Sequence, residues 1–224
     1  LQFTEGYKVS KGSNLLDRDL CEDAIKLAEL LLTHKEFTCP ELHAVLALMY
    51  FQLSRFNSRL SSNNDLIVLK EQDRELWDER LIEKGVKYLE QSAQGMVLSN
   101  YHLEAMIARE YCSASNFSDT NWENIINLYG LLISRTQNPI YILNQAIAFK
   151  QIHTPKEVIE LLKQNEAHLP NTNARWILEG DVWMELGDET QAEKSYLHAL
   201  EVSKNEIERK FIENKIASIQ LQNS

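Results

Sequence analysis

Glycine and proline are scarce in this sequence, seven and four among 224 residues, and the scarcity narrows the possible chemistry at once. With glycine only at positions 6, 12, 85, 95, 130, 180 and 187, no G-x-G-x-x-G or Walker-type loop can be written, which excludes a nucleotide site by motif. A nucleophile elbow and an H-E-x-x-H zinc pair are absent as well. Cysteine is sparse: Cys21, Cys39 and Cys112 are odd in number and widely spaced, which points to reduced thiols in a cytoplasmic protein rather than a disulfide framework. No stretch approaches the roughly 20 uninterrupted apolar residues that span a membrane, and no signal-peptide pattern precedes Leu1. Positive charge is also short. The 33 acidic against 23 basic residues give a formal charge of −10, which repels a phosphate backbone, and no basic stripe offsets it. Direct nucleic-acid binding is therefore not expected.

What is abundant is helix-forming. Leu, Ile, Glu, Lys and Ala dominate, and 44 % hydrophobic with 25 % charged residues is ordinary for a globular protein. The expected class is all-α. Residues 1 to 12 read as the tail of a helix begun earlier, as in a piece of a longer chain, followed by a polar turn at Lys11 to Asn14. Leu20, Ala24, Leu27, Ala28 and Leu31 recur at helical spacing from about Asp17. Thr38 with Glu41, and Pro40 between them, form a capping-box pattern that opens a second helix through Leu42, Val45, Leu46, Met49 and Leu53. The segment 57 to 70 breaks the rhythm as one irregular loop, with a turn cluster at 61 to 65 and a short extended run, Leu66 to Leu69. A long helix is expected from about Asp73 to Gln94, ending near Gly95, and another from Asn100 to Ser113. Thr120 with Glu123 and Thr154 with Glu157 mark two further capped starts.

The most regular stretch is 173 to 206. Counting Asn173 as position one, Trp176, Gly180, Trp183, Gly187, Ala192, Tyr196 and Ala199 fall in the signature slots of a tetratricopeptide repeat. Small residues let two antiparallel helices approach, the aromatics fill the space between them, and Gly187 turns the chain. A weaker copy begins 34 residues earlier at Pro139, with Ala146, Phe149 and Pro170 in register but Gln145, His153 and Val158 in other signature slots. The fold expected is thus antiparallel helix hairpins stacked as a tetratricopeptide-like right-handed solenoid. Asn205 to Leu221, apolar on one stripe and charged on the other, would be its C-terminal capping helix. The domains read as 1–98, an N-terminal helical domain, and 99–224, the repeats.

Beyond the repeats, the string Glu71-Gln72-Asp73-Arg74-Glu75-Leu76-Trp77-Asp78 resembles the C-terminal extension of a subgroup of extracytoplasmic-function (ECF) sigma factors. Phe3-Thr4-Glu5-Gly6-Tyr7, Asp19-Leu20-Cys21, Arg59, Leu66 to Leu69, Leu81 to Gly85, Ala105 to Ala108, Thr120-Asn121-Trp122, Leu143 to Ala146 and Asn205 with Glu208 to Phe211 extend the likeness over nearly the whole chain. Thr4, Asn64, Glu71 and Gln145 depart from it. The resemblance implies a non-catalytic regulatory domain that modulates sigma activity in transcription initiation. Its partners would be the sigma DNA-binding domains of the same parent chain, RNA polymerase core, or both. A free-standing tetratricopeptide adaptor that binds a peptide is the alternative, and an enzyme of unrecognised type the third possibility.

No constellation supports catalysis, a cofactor or a metal. Cys39 and His43, four apart, are two ligands at most. His102 beside Glu104 is no stronger, and the carboxylate pairs Glu71 with Asp73 and Asp78 with Glu79 read as solvated faces. One polar cluster stands out. Gln72, Asp73, Arg74, Trp77 and Asp78 would share two turns at the start of the long helix. Arg59, across the loop, could reach back to Asp73 or Asp78 in a bidentate pair, pinning the loop or forming an interaction surface.

Overall fold

Helix α3, Pro40–Ser54, is apolar on every side, and a helix without a polar face has to sit at the centre of its neighbours. The computed structural model, which describes residues 2–7, 17–61 and 67–222, is all-helical, with no β-strand among those residues. It divides into two compact units, Leu1–Asn124 and Ile125–Ser224.

In the first unit α3 is flanked by α1 (Gln2–Tyr7), α2 (Arg18–Leu32), α4 (Glu79–Ser92) and α5 (Asn100–Ser113). One side of α3 sends Leu46, Tyr50 and Leu53 into a core shared with Phe3, Cys21, Ala24, Ile25 and Ala28. The other side presents Ala47 and Phe51 to Ala105 and Ala108, with Ile82, Val86 and Leu89 around them. Phe51 is wholly buried, and a Cβ added at Gly85 of α4 would stand 2.7 Å from its ring. Gly85 is therefore what lets α4 lie against α3. Glu29 ties three helices together, accepting from the hydroxyls of Tyr50 (2.7 Å) and Tyr88 (3.1 Å), whose rings stack 5.6 Å apart. Burial pushes the Cys21 thiol up to about 11, so it behaves as an inert core residue.

Asp17 caps α2 as its position indicates, accepting from the Leu20 amide. Three other expected starts need correction. At α3 the N-cap is Cys39 with no side-chain cap, because the Thr38 hydroxyl turns back to the carbonyls of Leu32 and His34. The Asp73 to Gln94 helix begins only at Glu79. Asp73 accepts from the Glu75 amide and Asp78 from the amides of Arg80 and Leu81, so two aspartate caps in six residues split the stretch into a 3-10 turn, Arg74–Leu76, and α4. Helix α6 (Trp122–Thr136) is capped by Asn121, whose Oδ1 accepts from the Asn124 amide at 3.1 Å, while Thr120 is buried. Of the extended run, Val68 is extended and Leu69–Glu71 is a 3-10 turn. Residues 62–66, like the Lys11 to Asn14 turn, lie outside the described residues.

The boundary read between 98 and 99 falls between α4 and α5, which both belong to the first unit, where α5 packs on α3. The division into units lies in the first turn of α6.

The second unit continues with α7 (Pro139–Phe149), α8 (Pro155–Gln164), α9 (Asn173–Glu185), α10 (Glu189–Val202) and α11 (Glu206–Gln222). Leu143 and Ala146 of α7, Val158, Ile159 and Leu162 of α8, and Leu178 and Val182 of α9 form one core. Ala192, Tyr196 and Ala199 of α10 with Ile212 and Ile219 of α11 form the next. The capping box expected at Thr154 and Glu157 is present in full. A Cβ at Gly180 would lie 2.4 Å from Tyr196 Cε1, and Gly187 turns the chain at φ 78°, the left-handed conformation that glycine adopts without strain. Asn205 caps α11, accepting from the amides of Ile207 and Glu208.

Candidate interaction site around Trp77

Two segments without regular helix, 55–61 and 67–78, meet at the C-terminal end of α3, and their side chains build a polar and aromatic cluster. The Asp78 amide donates to the Ser54 carbonyl at 2.9 Å, which fixes the start of α4 to the end of α3. Trp77, extended at ψ 132°, turns its indole inward and is 5 % exposed. The Arg74 guanidinium carbon lies 4.4 Å from that ring and the Arg55 carbon 5.0 Å from it; Arg55 is also 5.4 Å from the Tyr111 ring. Cation–π attraction of this kind strengthens as water is removed.

Arg74 Nη1 donates to the carbonyls of Tyr111 (2.8 Å) and Ala114 (2.7 Å), closing the C-terminal end of α5. One nitrogen donating to two helix-end carbonyls satisfies groups that α5 cannot satisfy itself. Gln72 clamps the loop: its Oε1 accepts from Ser58 Oγ at 3.3 Å, and its Nε2 donates to the Ile67 carbonyl at 3.2 Å. The Ile67 amide in turn donates to the Arg59 carbonyl at 2.9 Å.

The expected cluster is thus assembled in part. Arg74 lies over Trp77, and Gln72 joins them through Arg55, whereas Asp73 and Asp78 serve as helix caps. Arg59 pairs with neither aspartate. Its Nη1 donates to the Tyr7 carbonyl at 2.5 Å and its guanidinium covers the Tyr7 ring at 4.0 Å, so it pins α1 rather than the loop to α4. The reason is geometric: both carboxylates are turned to backbone amides by the caps, and among the described residues the ring and carbonyl of Tyr7 take the guanidinium. Arg55 and Tyr111, which sequence reasoning missed, belong to the site. Arg55 ends a helix and Tyr111 sits near the end of another, and nothing in their local patterns marks them.

The electrostatics of the cluster are uneven. Arg55 and Arg74 are close enough to weigh on each other, and among the described residues no carboxylate forms an ion pair with either. Burial first, and the neighbouring Arg55 cation next, hold the Arg74 guanidinium below its ordinary value; burial does the same to Arg59. Arg55 Nε, Arg74 Nη2 and Trp77 Nε1 are buried donors without a partner. Cys112, beside Ser54 at 3.8 Å, has its thiol pushed up by burial and only partly restrained by the two arginines. A thiol held protonated is a poor nucleophile. The arrangement suits recognition of an anionic or carbonyl-rich group more than covalent chemistry.

The other candidates resolve into structure. His43 Nδ1 lies 3.0 Å from the Cys39 carbonyl oxygen, as part of a helix start. His102 is buried: its Nδ1 accepts from the Ser99 amide at 3.1 Å and its Nε2 donates to the Ser92 carbonyl at 3.2 Å, so it caps α5 and ties it to α4. Among the described residues no three His, Cys, Asp or Glu side chains converge as a metal site requires, and no helix is long and apolar enough to cross a membrane. The repeat-signature residues Trp176, Gly180, Trp183, Gly187, Ala192, Tyr196 and Ala199 all lie on α9, α10 and the turn between them.

Residues 1–93 match a family described as a family of unknown function (DUF6596). Over 213 residues, 95 % of this chain, the sequence is 28 % identical to an uncharacterized protein, R00370, of Rhizobium meliloti (strain 1021). The match covers 50 % of that protein, so the chain spans about half the length of the curated relative it matches. No solved structure matches.

Proposed function

We propose that this chain is a non-catalytic regulatory extension of an ECF-type sigma factor, acting in the cytoplasm through protein contacts that modulate transcription initiation. The observation that carries the reading is a coincidence of residues. Phe3 to Tyr7, Arg59 and the Gln72 to Asp78 string, which carry the resemblance, are far apart in sequence, and the same side chains build the ties around α3 described above. The length of the relative, about twice that of the match, supports a place inside a larger protein. The partners on this reading are the sigma DNA-binding domains of the parent chain or RNA polymerase core, met by the surface around Trp77. With a formal charge of −10, the chain itself does not bind duplex DNA at physiological salt.

The α7–α8 and α9–α10 hairpins are read, on the same proposal, as tetratricopeptide-like repeats of a right-handed solenoid closed by α11. The approach of Gly180 to Tyr196 supports this. It also favours the second reading, a free-standing adaptor that binds a peptide.

Two steps test the proposal. The coding sequence on the N-terminal side of Leu1 should specify basic, DNA-reading helices. The purified chain, titrated against the remainder of that parent and against RNA polymerase core, should then bind at least one of them saturably. An upstream region without such helices, together with no binding to either, would sink the sigma-factor reading and leave the adaptor.

A further inference from the structure

Outside the cluster at Trp77, charged side chains gather around a cavity of about 150 Å³ in the second unit. Its floor is aliphatic, from Ile159 and Leu162 of α8, and its α9 wall carries Arg175, Glu179 and Trp183. These three are four residues apart in turn, so they line one face of the helix. Lys163 and Glu166 complete the rim.

An arginine and a glutamate one helical turn apart ordinarily close on each other as a surface ion pair. Here no ion pair joins Arg175 to Glu179. The Arg175 side chain is 11 % exposed, its nearest carboxylate oxygen, on Glu166, is 3.9 Å from Nη2, and its Nε is buried without a partner. The guanidinium is held in place by stacking on the Trp176 ring, 4.5 Å away. It is thus desolvated, oriented and short of acceptors. Glu179 is in the complementary position: burial pushes its carboxyl above the usual range, and Arg175, the Trp183 indole and His198 only partly oppose that. An oriented guanidinium and a carboxylate not ion-paired to it therefore face one small space with an indole and aliphatic side chains.

We propose that this cavity binds a small zwitterion of the α-amino-acid type, its carboxylate taken by Arg175 with Lys163 at the rim, its ammonium by Glu179, and its short side chain by Ile159 and Leu162. Size sets the class, since a cavity of this volume holds about six to eight heavy atoms, as a benzene-sized cavity does. That is the scale of alanine or serine and far below a nucleotide. Charge sets the rest. Two carboxylates at the site oppose a phosphate, and four ionisable side chains oppose a purely apolar guest. The guanidinium fork matches a carboxylate in a bidentate geometry that a lysine alone does not offer.

The test is calorimetric titration of the full 224-residue chain with L-alanine, and with acetate and ethylammonium as probes carrying one charge each. Saturable binding of L-alanine is expected, with acetate and ethylammonium weaker by at least about tenfold. Arg175→Met and Glu179→Gln should each weaken L-alanine by a similar factor while circular dichroism stays unchanged. If Arg175→Met does not fold, Lys163→Met with Glu179→Gln carries the same comparison. No saturable heat or change in tryptophan fluorescence up to about 50 mM, well beyond millimolar affinity, would overturn the proposal. So would L-alanine binding that Glu179→Gln leaves intact.

Discussion

The two units use one packing device and differ in what surrounds it. In the first, Gly85 of α4 lies under the Phe51 ring of α3; in the second, Gly180 of α9 lies under the Tyr196 ring of α10. Each glycine allows a close helix contact that a methyl group would obstruct. Around Gly180 the supporting contacts span shorter separations: the Tyr196 hydroxyl donates to Asp181, 15 residues away, and Lys215 reaches the same carboxylate across 34. Around Phe51 they are distant. Tyr88 reaches Glu29 across 59 residues, Arg59 reaches Tyr7 across 52, and Arg74 reaches Ala114 across 40. Closing long loops costs chain entropy before any contact is gained, and the first unit offsets that cost with buried charged and aromatic ties. In the second, the ties around α9 close shorter loops.

Several substitutions would sharpen or break this contrast. Phe51→Ala should have the largest effect, about 3–5 kcal/mol, because the side chain is wholly buried at the centre of the first unit. Urea unfolding would measure it, and a loss below about 1 kcal/mol would mean that the α3–α4–α5 contact does not hold the unit together. Arg74→Met comes next. It keeps the stem but removes two charge-assisted bonds to helix-end carbonyls, at about 1.5–3 kcal/mol, and should lower the melting temperature well beyond Asp73→Asn. Equal effects from the two would leave Arg74 as an ordinary surface residue. Gly180→Leu should overpack against Tyr196 and cost about 1–3 kcal/mol, and an unchanged melting temperature would remove the repeat-like packing at that position.

The smallest effect is a matter of pH. The carboxyl of Glu179 is raised by burial, so its favourable contribution is complete below the ordinary carboxyl range and is lost as pH rises through the folded value. At neutral pH the ionised group destabilises. Glu179→Gln should therefore raise the melting temperature slightly at pH 7, with the gain shrinking towards pH 4. A loss at pH 7 would mean that Glu179 has a full ionic partner.

The same contrast explains what the sequence made legible. The helices of the second unit follow from apolar period, Pro at the first turn and the glycine and aromatic slots, because each hairpin meets its neighbours. Gly180 lies against Tyr196, Gly187 turns the chain at a positive φ, and the Thr154 capping box forms in full. In the first unit the helices were equally visible, but the ties between them were not. Asp73 and Asp78 look like ion-pair partners for Arg59, yet an aspartate ahead of a helix finds backbone amides nearer than any guanidinium. Arg59 instead found Tyr7, and Arg55 joined Trp77, through a meeting of chain segments that no local pattern records. Buried His102 was hidden for the same reason: its cap is local, but its second partner, the Ser92 carbonyl, lies on another helix.

The cluster at Trp77 either meets a partner or only holds the first unit together. If the sigma-factor proposal holds, Arg55→Ala, Arg59→Ala and Arg74→Met in the full-length parent should be compared by melting temperature and by promoter-dependent transcription with RNA polymerase core in vitro. The account predicts that at least one arginine variant loses transcription about tenfold or more while its folded fraction at the assay temperature is unchanged. Transcription that falls in every variant only in proportion to the folded protein lost would contradict it.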